Sequence, residues 1–387
     1  MQFSTFDIDV FLRDHWQKRP LLIRNPWGTW RNPLEPDELA GLACEQEVES
    51  RLITQQGDAW PNALGVENGP LPESRFSELG AKQWTLLVQA VDHYVPGVAA
   101  LIEPFRFVPN WRIDDVMVSL AADGGGVGPH FDQYDVFLIQ GLGKRRWQVG
   151  ALCDAETELL PNEDLRLLAN FEATDEWLLE PGDILYVPPR VAHNGVAVGD
   201  DCMTYSIGFR APSRHELITS FADDLVAEME DDDRYADPDL KAQAHPGEIS
   251  AGALAALHQL VTEKLADRDA FARWFGGYNS TPKYPDIDWQ PEAPVGAPEL
   301  REALARSEPL CRNPASRFSF IRQDAGGVLL FVDGGCFECT GETDALAEAL
   351  CAQDRVTVDP ELTNSNAAIT LLAQLFNQGS IAFEGED

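Results

Sequence analysis

Between residues 111 and 209 the sequence is dominated by short, β-rich runs set off by Gly and Pro turns. Those runs are VMVSL (116–120), YDVFLIQG (134–141), RRWQVG (145–150), DILYVPP (183–189) and MTYSIGF (203–209), all rich in β-branched and aromatic side chains. Such segments at close intervals predict a sandwich or barrel. The flanks have a different texture. Residues 1–100 read as mixed helix and loop, with helices expected at 9–17 (ended by Pro20), 36–44 and 83–95. Residues 215–230 and 254–275 space apolar side chains at three and four, as helices do. A Pro- and acid-rich loop follows at 276–298, and 299–387 reads as helix, hairpin, helix, the hairpin turning on Gly-Gly. A β-dominated α+β protein is expected.

Within the β-rich stretch, His130 and Asp132 are separated by one residue, which on a strand puts both on one face. His193 follows 61 residues after Asp132, behind a Pro-Gly turn and a strand ending in Pro188-Pro189. Two imidazoles and one carboxylate inside a β-barrel make the facial set that suits Fe(II) and leaves positions open. This paired arrangement resembles the cupin-like JmjC domain of the 2-oxoglutarate-dependent oxygenases. The resemblance implies Fe(II) held by His130, Asp132 and His193, with 2-oxoglutarate and O₂ as co-substrates and no catalytic group beyond the metal ligands.

Alternation along strands proposes the rest of the pocket. Tyr134 should face inward with His130 and Asp132; Ser119 shares a face with Met117 and Asp115. After a turn at 141–143, Arg145 and Trp147 share a face while Lys144 and Arg146 point away. Thr204 and Ser206 share a face on the last strand. A dicarboxylate needs a fixed cation, and a guanidinium binds a carboxylate bidentately. Arg145 is the expected partner of the distal carboxylate of 2-oxoglutarate, with Ser119 beside it and Thr204 as a further co-substrate contact. Against the pattern that the resemblance implies, Thr204 stands where an amide-bearing residue would be less surprising. Asp115, Tyr134 and Ser206 are candidate substrate contacts.

The likeness extends beyond the triad. DVFLRDHWQKRPLLIRN (9–25), the block from 109 to 141, LEPGDILYVPPRVAHNG (179–195) and YSIGFRAP (205–212) resemble the bacterial JmjC ribosomal oxygenases, strongly over 1–275 and weakly beyond. In particular the chain is similar to the arginine hydroxylases of large-subunit ribosomal protein sixteen. That family implies a JmjC double-stranded β-helix, a helical dimerisation module and a C-terminal winged-helix-like domain. On this chain they correspond to a mixed helical region packing on the barrel at 1–95, the barrel at 96–212, the dimerisation module at 213–292 and the winged helix at 293–387. The implied reaction is 3-hydroxylation of a substrate arginine by a homodimer. The same chemistry on a histidine or another residue is the alternative within enzymes, and a non-catalytic cupin-like metal-binding protein the alternative outside them.

Charge narrows the partners. With 29 Lys+Arg against 64 Asp+Glu, the formal net charge is −35. Nucleic acid and anionic membrane are therefore not expected as direct partners, even with a winged helix, whereas a basic ribosomal protein is. The seven cysteines are scattered rather than framed for disulfides, and neither a secretory leader nor a membrane span is evident, so a cytoplasmic location is expected. Cys336 and Cys339 have the spacing of half a zinc site, but no second pair accompanies them. The acidic run 228–233 reads as a solvated helix end. Gly124–Gly126 is followed by no Gly-Lys-Ser/Thr and precedes a strand, so it is not a phosphate loop.

Overall fold

A computed structural model describes residues 2–55, 64–161, 165–230 and 234–384. The last three residues of the acidic run 228–233 lie outside the described residues. The chain divides into two units, Met1–Ala211 and Pro212–Asp387. No helix among the described residues is long and apolar enough to cross a membrane.

The first unit is built on one nine-stranded antiparallel sheet: β1 (Leu21–Ile23), β2 (Ser50–Gln55), β3 (Leu64–Asn68), β4 (Trp84–Val88), β5 (Ile113–Ala121), β6 (Val136–Leu152), β7 (Ala173–Leu179), β8 (Ile184–Val187) and β9 (Val191–Phe209). Its order is β1-β8-β6-β9-β5-β4-β2-β3, with β7 paired to β6. The long strands β6 and β9 pair from Val136↔Gly208 to Leu152↔Val191, and the register slips between Gln140 and Lys144. At that slip Gly143 adopts φ +58, and a Cβ there would come within 2.9 Å of the Asp200 and Asp201 carbonyl oxygens. Only glycine takes that conformation and approach without strain, so both strands bend together there. β8 pairs with the first part of β6 (Val136–Ile139) and β7 with the second (Arg145–Gly150). The β6–β9 ribbon thus carries a flanking strand on each of its halves, with the expected turn at 141–143 replaced by a kink in a continuous strand.

One face of the sheet is covered by the N-terminal segments. Phe11, Trp27, Leu39, Val98 and Phe105 pack there on Leu86, Val116, Val118, Phe137, Tyr186 and Tyr205. The opposite face is the barrel interior, where Val136, Leu138, Trp147, Val149, Leu179 and Leu185 form a separate core.

Residues 1–95 contribute more strand than their texture suggested. The expected helices at the start appear as Ile8–Asp14 and Pro36–Leu42, but 83–95 is β4 followed by a 3-10 turn at Val91–His93. The reason is pairing: β4 is held on both sides, Leu86 opposite Leu52 and Leu120, Val88 opposite Ser50 and Val118. Tertiary partners override a short apolar run that is ambiguous by itself.

The second unit opens with helices Arg214–Ala227, Ala251–Leu265 and Arg268–Ser280. The expected single helix over 254–275 is two, divided where the Asp267 carboxylate accepts from the Asp269 and Ala270 amides as an N-cap. Beyond 296, helices Ala297–Ala305, Glu342–Ala352 and Asn366–Asn377 pack with two three-stranded sheets around Leu300, Leu330, Leu350, Leu372 and Phe376. The hairpin Val328–Cys339 turns on Asp333-Gly334, both at positive φ, not on Gly-Gly. Cys336 is exposed on its last strand and Cys339 buried, and both are free thiols.

Candidate metal centre and its pocket

His130, Asp132 and His193 come together with their ligand atoms all within 4.8 Å of one another. The expected route, one strand face for His130, Asp132 and Tyr134, is not how they get there. Only His130 is in a β-bridge, opposite His193, exchanging two backbone hydrogen bonds at 3.0 and 2.8 Å. Asp132 and Tyr134 lie in the loop that leads into β6. That loop is held by the Arg190 amide, which donates to the Asp132 carbonyl at 2.6 Å from the tight β8–β9 connection. The glycine run upstream is also accounted for: Gly124 N and Gly125 O bond both backbone groups of Ala197, and a Cβ on Gly126 would come within 2.5 Å of the Gly195 carbonyl. The backbone must lie flat on β9 to deliver His130.

Each imidazole is oriented from behind. His130 Nδ1 sits 2.8 Å from Gly128 O and His193 Nδ1 3.0 Å from Val191 O. A proton on each Nδ1 leaves both Nε2 atoms as acceptors, the form a metal takes. His193 Nε2 is 3.5 Å from Asp132 Oδ2. Burial, with His130 as a lesser contributor, pushes His193 well below its ordinary range and keeps it neutral. Two imidazole nitrogens and one carboxylate oxygen, converging within 4.8 Å of one another, fit a divalent metal of the iron class.

Deeper in the barrel, cross-strand register puts Met117 opposite Ser206, Ser119 opposite Thr204, and Thr204 opposite Gln140. Arg145, only 3% exposed, belongs to the same lining, as do Trp147 and Val149, the last directly opposite His193. Lys144 and Arg146 point outward to Glu180 and Glu176, as expected. The Arg145 guanidinium lies 5.7 Å from the Trp147 ring, and Trp147 in turn 5.9 Å from the His193 ring. Arg145 Nη2 is buried without a hydrogen-bond partner. A buried guanidinium N–H left unmatched is costly, and a carboxylate entering from the metal side would satisfy it. From Val149 to Arg145 is four residues, about 13 Å along a strand, a span that two side chains and an extended dicarboxylate fill.

The Thr204 hydroxyl donates to Gln140 Oε1 at 3.2 Å, so its proton is directed at an amide side chain. Gln140 itself was not singled out from the sequence, although a lone amide inside the apolar run VFLIQG was the available signal.

At the mouth, Asp115 and Tyr134 meet beside Gly208, each 3.9 Å from where its Cβ would be. Asp115 is 5% exposed and accepts from the Ala90 amide at 2.9 Å. Tyr134 is 42% exposed. Partial desolvation, then the charges of Asp132, Asp115 and Asp114, raise the Tyr134 hydroxyl above the usual phenol range. An acidic cluster with an aromatic wall suits a guanidinium. Ser206 is 8% exposed on the strand lining below.

Residues 100–217 match the family model of the JmjC domain, and residues 263–382 match that of the ROXA-like winged helix. The chain is 40% identical over 381 residues to the ribosomal protein uL16 3-hydroxylase of Escherichia coli strain K12, covering 97% of each. It is 41% identical over 274 residues to a probable ribosomal oxygenase of Haemophilus influenzae, covering 69% of this chain and 66% of that one. The structure of YcfD, a ribosomal oxygenase from Escherichia coli, in complex with cobalt and 2-oxoglutarate superposes with a TM-score of 0.87 at 37% identity, over 99% of both chains.

Proposed function

Because the chain belongs to the JmjC ribosomal oxygenases, we propose that it is an Fe(II)- and 2-oxoglutarate-dependent oxygenase that hydroxylates an arginine of ribosomal protein uL16 at its 3-position. The observation that carries this reading is the pairing of the His130, Asp132 and His193 set with a buried Arg145 whose Nη2 has no partner. When bound, Fe(II) with 2-oxoglutarate supplies C–H oxidation by O₂, one oxygen atom entering the substrate and the other entering succinate as CO₂ is released.

The chain's own residues supply the rest. His130, Asp132 and His193 hold the metal on one face. Arg145 takes the distal carboxylate of 2-oxoglutarate, with Ser119 alongside and Thr204 acting through Gln140. Asp115, Tyr134 and Ser206 receive the substrate arginine: the carboxylate opposes the guanidinium charge and the phenol ring packs on its plane or its stem. The apolar barrel wall of Leu138, Val149 and Leu185 keeps the reacting centre dry.

Organised by role, 1–95 adds strands and covering segments to the sheet, 96–212 carries the chemistry, 213–292 is the dimerisation module and 293–387 the winged-helix-like domain. Homodimer formation is supported by helix Ala251–Leu265, which has no buried residue and exposes Leu254 by 61% and Val261 by 60%. The net charge of −35 supports an enzyme that meets a basic protein rather than nucleic acid or membrane.

The test is anaerobic loading with Fe(II) and 2-oxoglutarate, then O₂ exposure with uL16. One added oxygen on an arginine, with stoichiometric succinate, is the expected result. Oxygen on a histidine would replace the substrate assignment, and succinate at background with no mass gain would refute the reading.

A further inference from the structure

Arg145 does not stand alone in the barrel. Its Nε donates to Cys202 Sγ at 3.4 Å. Gln140 Nε2 donates to the same sulfur at 3.5 Å and to the Leu142 carbonyl at 2.7 Å. The bond to the carbonyl fixes the amide, since only its nitrogen can donate there, and so turns Oε1 toward the Thr204 hydroxyl. The result is a chain in which Thr204 donates to Gln140, and Gln140 and Arg145 both donate to Cys202. Cys202, Gln140, Thr204 and Arg145 are all at most 3% exposed, so no solvent competes for these bonds. The chain spans the slip in the β6–β9 register, where backbone pairing is interrupted and cannot by itself orient side chains.

A guanidinium has five N–H groups in a rigid fork, and it can present only one edge to a carboxylate at a time. With Nε taken by sulfur, the edge left for a ligand is the Nη pair, and Nη2 is the atom that lacks a partner. We infer that Cys202 is a positioning residue for the co-substrate: its sulfur, held by Gln140, takes Nε of Arg145 and so turns the Nη edge toward the distal carboxylate of a 2-oxo dicarboxylic acid. The inference rests on the oxygenase reading above and adds to it a residue that touches neither metal nor co-substrate. It also gives Thr204 a place at the far end of the same chain.

The test uses the full-length protein with Mn(II) bound, titrated with 2-oxoglutarate by calorimetry, and the Fe(II) enzyme for steady-state rates. Cys202→Ala removes the acceptor at little cost in volume. Loss of one charge-assisted hydrogen bond of orientation is expected to weaken binding about tenfold. Kd and KM for 2-oxoglutarate should rise together while kcat and metal content hold. Cys202→Ser restores an acceptor and should recover most of the affinity, which a purely space-filling role would not produce. Gln140→Leu should move Kd in the same direction as Cys202→Ala. Unchanged Kd and KM in Cys202→Ala would overturn the inference. So would a fall in kcat and melting temperature that Ser fails to repair. If the wild-type protein binds no 2-oxoglutarate, the oxygenase reading itself fails, and that result is distinct from both.

Discussion

Asp135 is the last residue of the loop that carries Asp132 and Tyr134, and it is fully buried. Its carboxylate accepts from the Tyr186 hydroxyl at 2.6 Å, Gln17 Nε2 at 2.9 Å and Arg112 Nη2 at 3.2 Å. Arg112 is 15% exposed and stacks 5.8 Å from Trp16 and 5.6 Å from Trp111. Removing the acid in Asp135→Ala leaves a mostly buried guanidinium without its counter-charge, and two further donors without an acceptor. Breaking one side of a buried pair costs about 3–5 kcal/mol, and Arg112 Nε keeps its bond to the Arg210 carbonyl, so the lower half of that range is expected. Asp135→Asn keeps an acceptor oxygen and should cost about 1.5–3 kcal/mol, the worth of a hydrogen bond to a charged group. The double variant Asp135→Leu/Arg112→Met removes both charges and should be more stable than Asp135→Leu alone. The assay is urea unfolding of the barrel transition, recognised by its shift to higher denaturant with Mn(II) and 2-oxoglutarate. A loss below about 1 kcal/mol in Asp135→Ala, or no recovery in the double variant, would refute the claim that this buried pair anchors the loop.

Arg145→Ala should raise the 2-oxoglutarate KM by about 10²-fold or more, the loss of two charge-assisted bonds, with metal content intact; an unchanged KM, read by succinate formation, moves the role elsewhere. The metal-free protein should lose stability as pH falls below about 6.5. His193 is held below its ordinary range, mainly by burial, so the unfolded chain binds a proton there that the native state refuses. Stability from this group is complete above the unfolded value and declines toward the lowered native one. Denaturation at several pH values checks it, and His193→Leu should flatten that slope; an equal slope in both would refute the attribution.

How much of this was legible in the sequence differs by residue, for physical reasons. His130, Asp132 and His193 were readable because metal chemistry restricts residue type so tightly that spacing suffices, even though the assumed strand face was really a loop pinned by Arg190. Arg145 and Trp147 were readable because alternation holds along β6 beyond its kink. Thr204 was placed on the right face, but its hydroxyl goes to Gln140, and no period reveals which neighbour a hydroxyl will choose. Cys202 was invisible, since its meaning depends on a register slip between two strands more than fifty residues apart. The strand at 84–88 is ambiguous in sequence because four apolar residues and a threonine carry no decisive period, and only its partners β2 and β5 settle it. Local chemistry travels in sequence; pairing does not.

The charge of −35 and the acids at the mouth act over different ranges, and salt separates them. At 0.15 M ionic strength the Debye length is about 8 Å, so the overall charge steers a basic protein only during its approach. Asp132, Asp115 and Asp114 act on the Tyr134 hydroxyl from close by, where a bound guanidinium would be partly desolvated and less screened. Raising salt from about 0.05 to 0.5 M should therefore lower kcat/KM for uL16 substantially, mainly through KM, as steering fades. Preference for an arginine peptide over its citrulline counterpart, which is nearly isosteric but uncharged, should survive the same change. Competition between the two peptides, read by mass spectrometry, measures it directly. If the preference collapses in step with kcat/KM, arginine is chosen by the long-range field and not by Asp115 and its neighbours, and the substrate roles given to the mouth residues would have to be withdrawn.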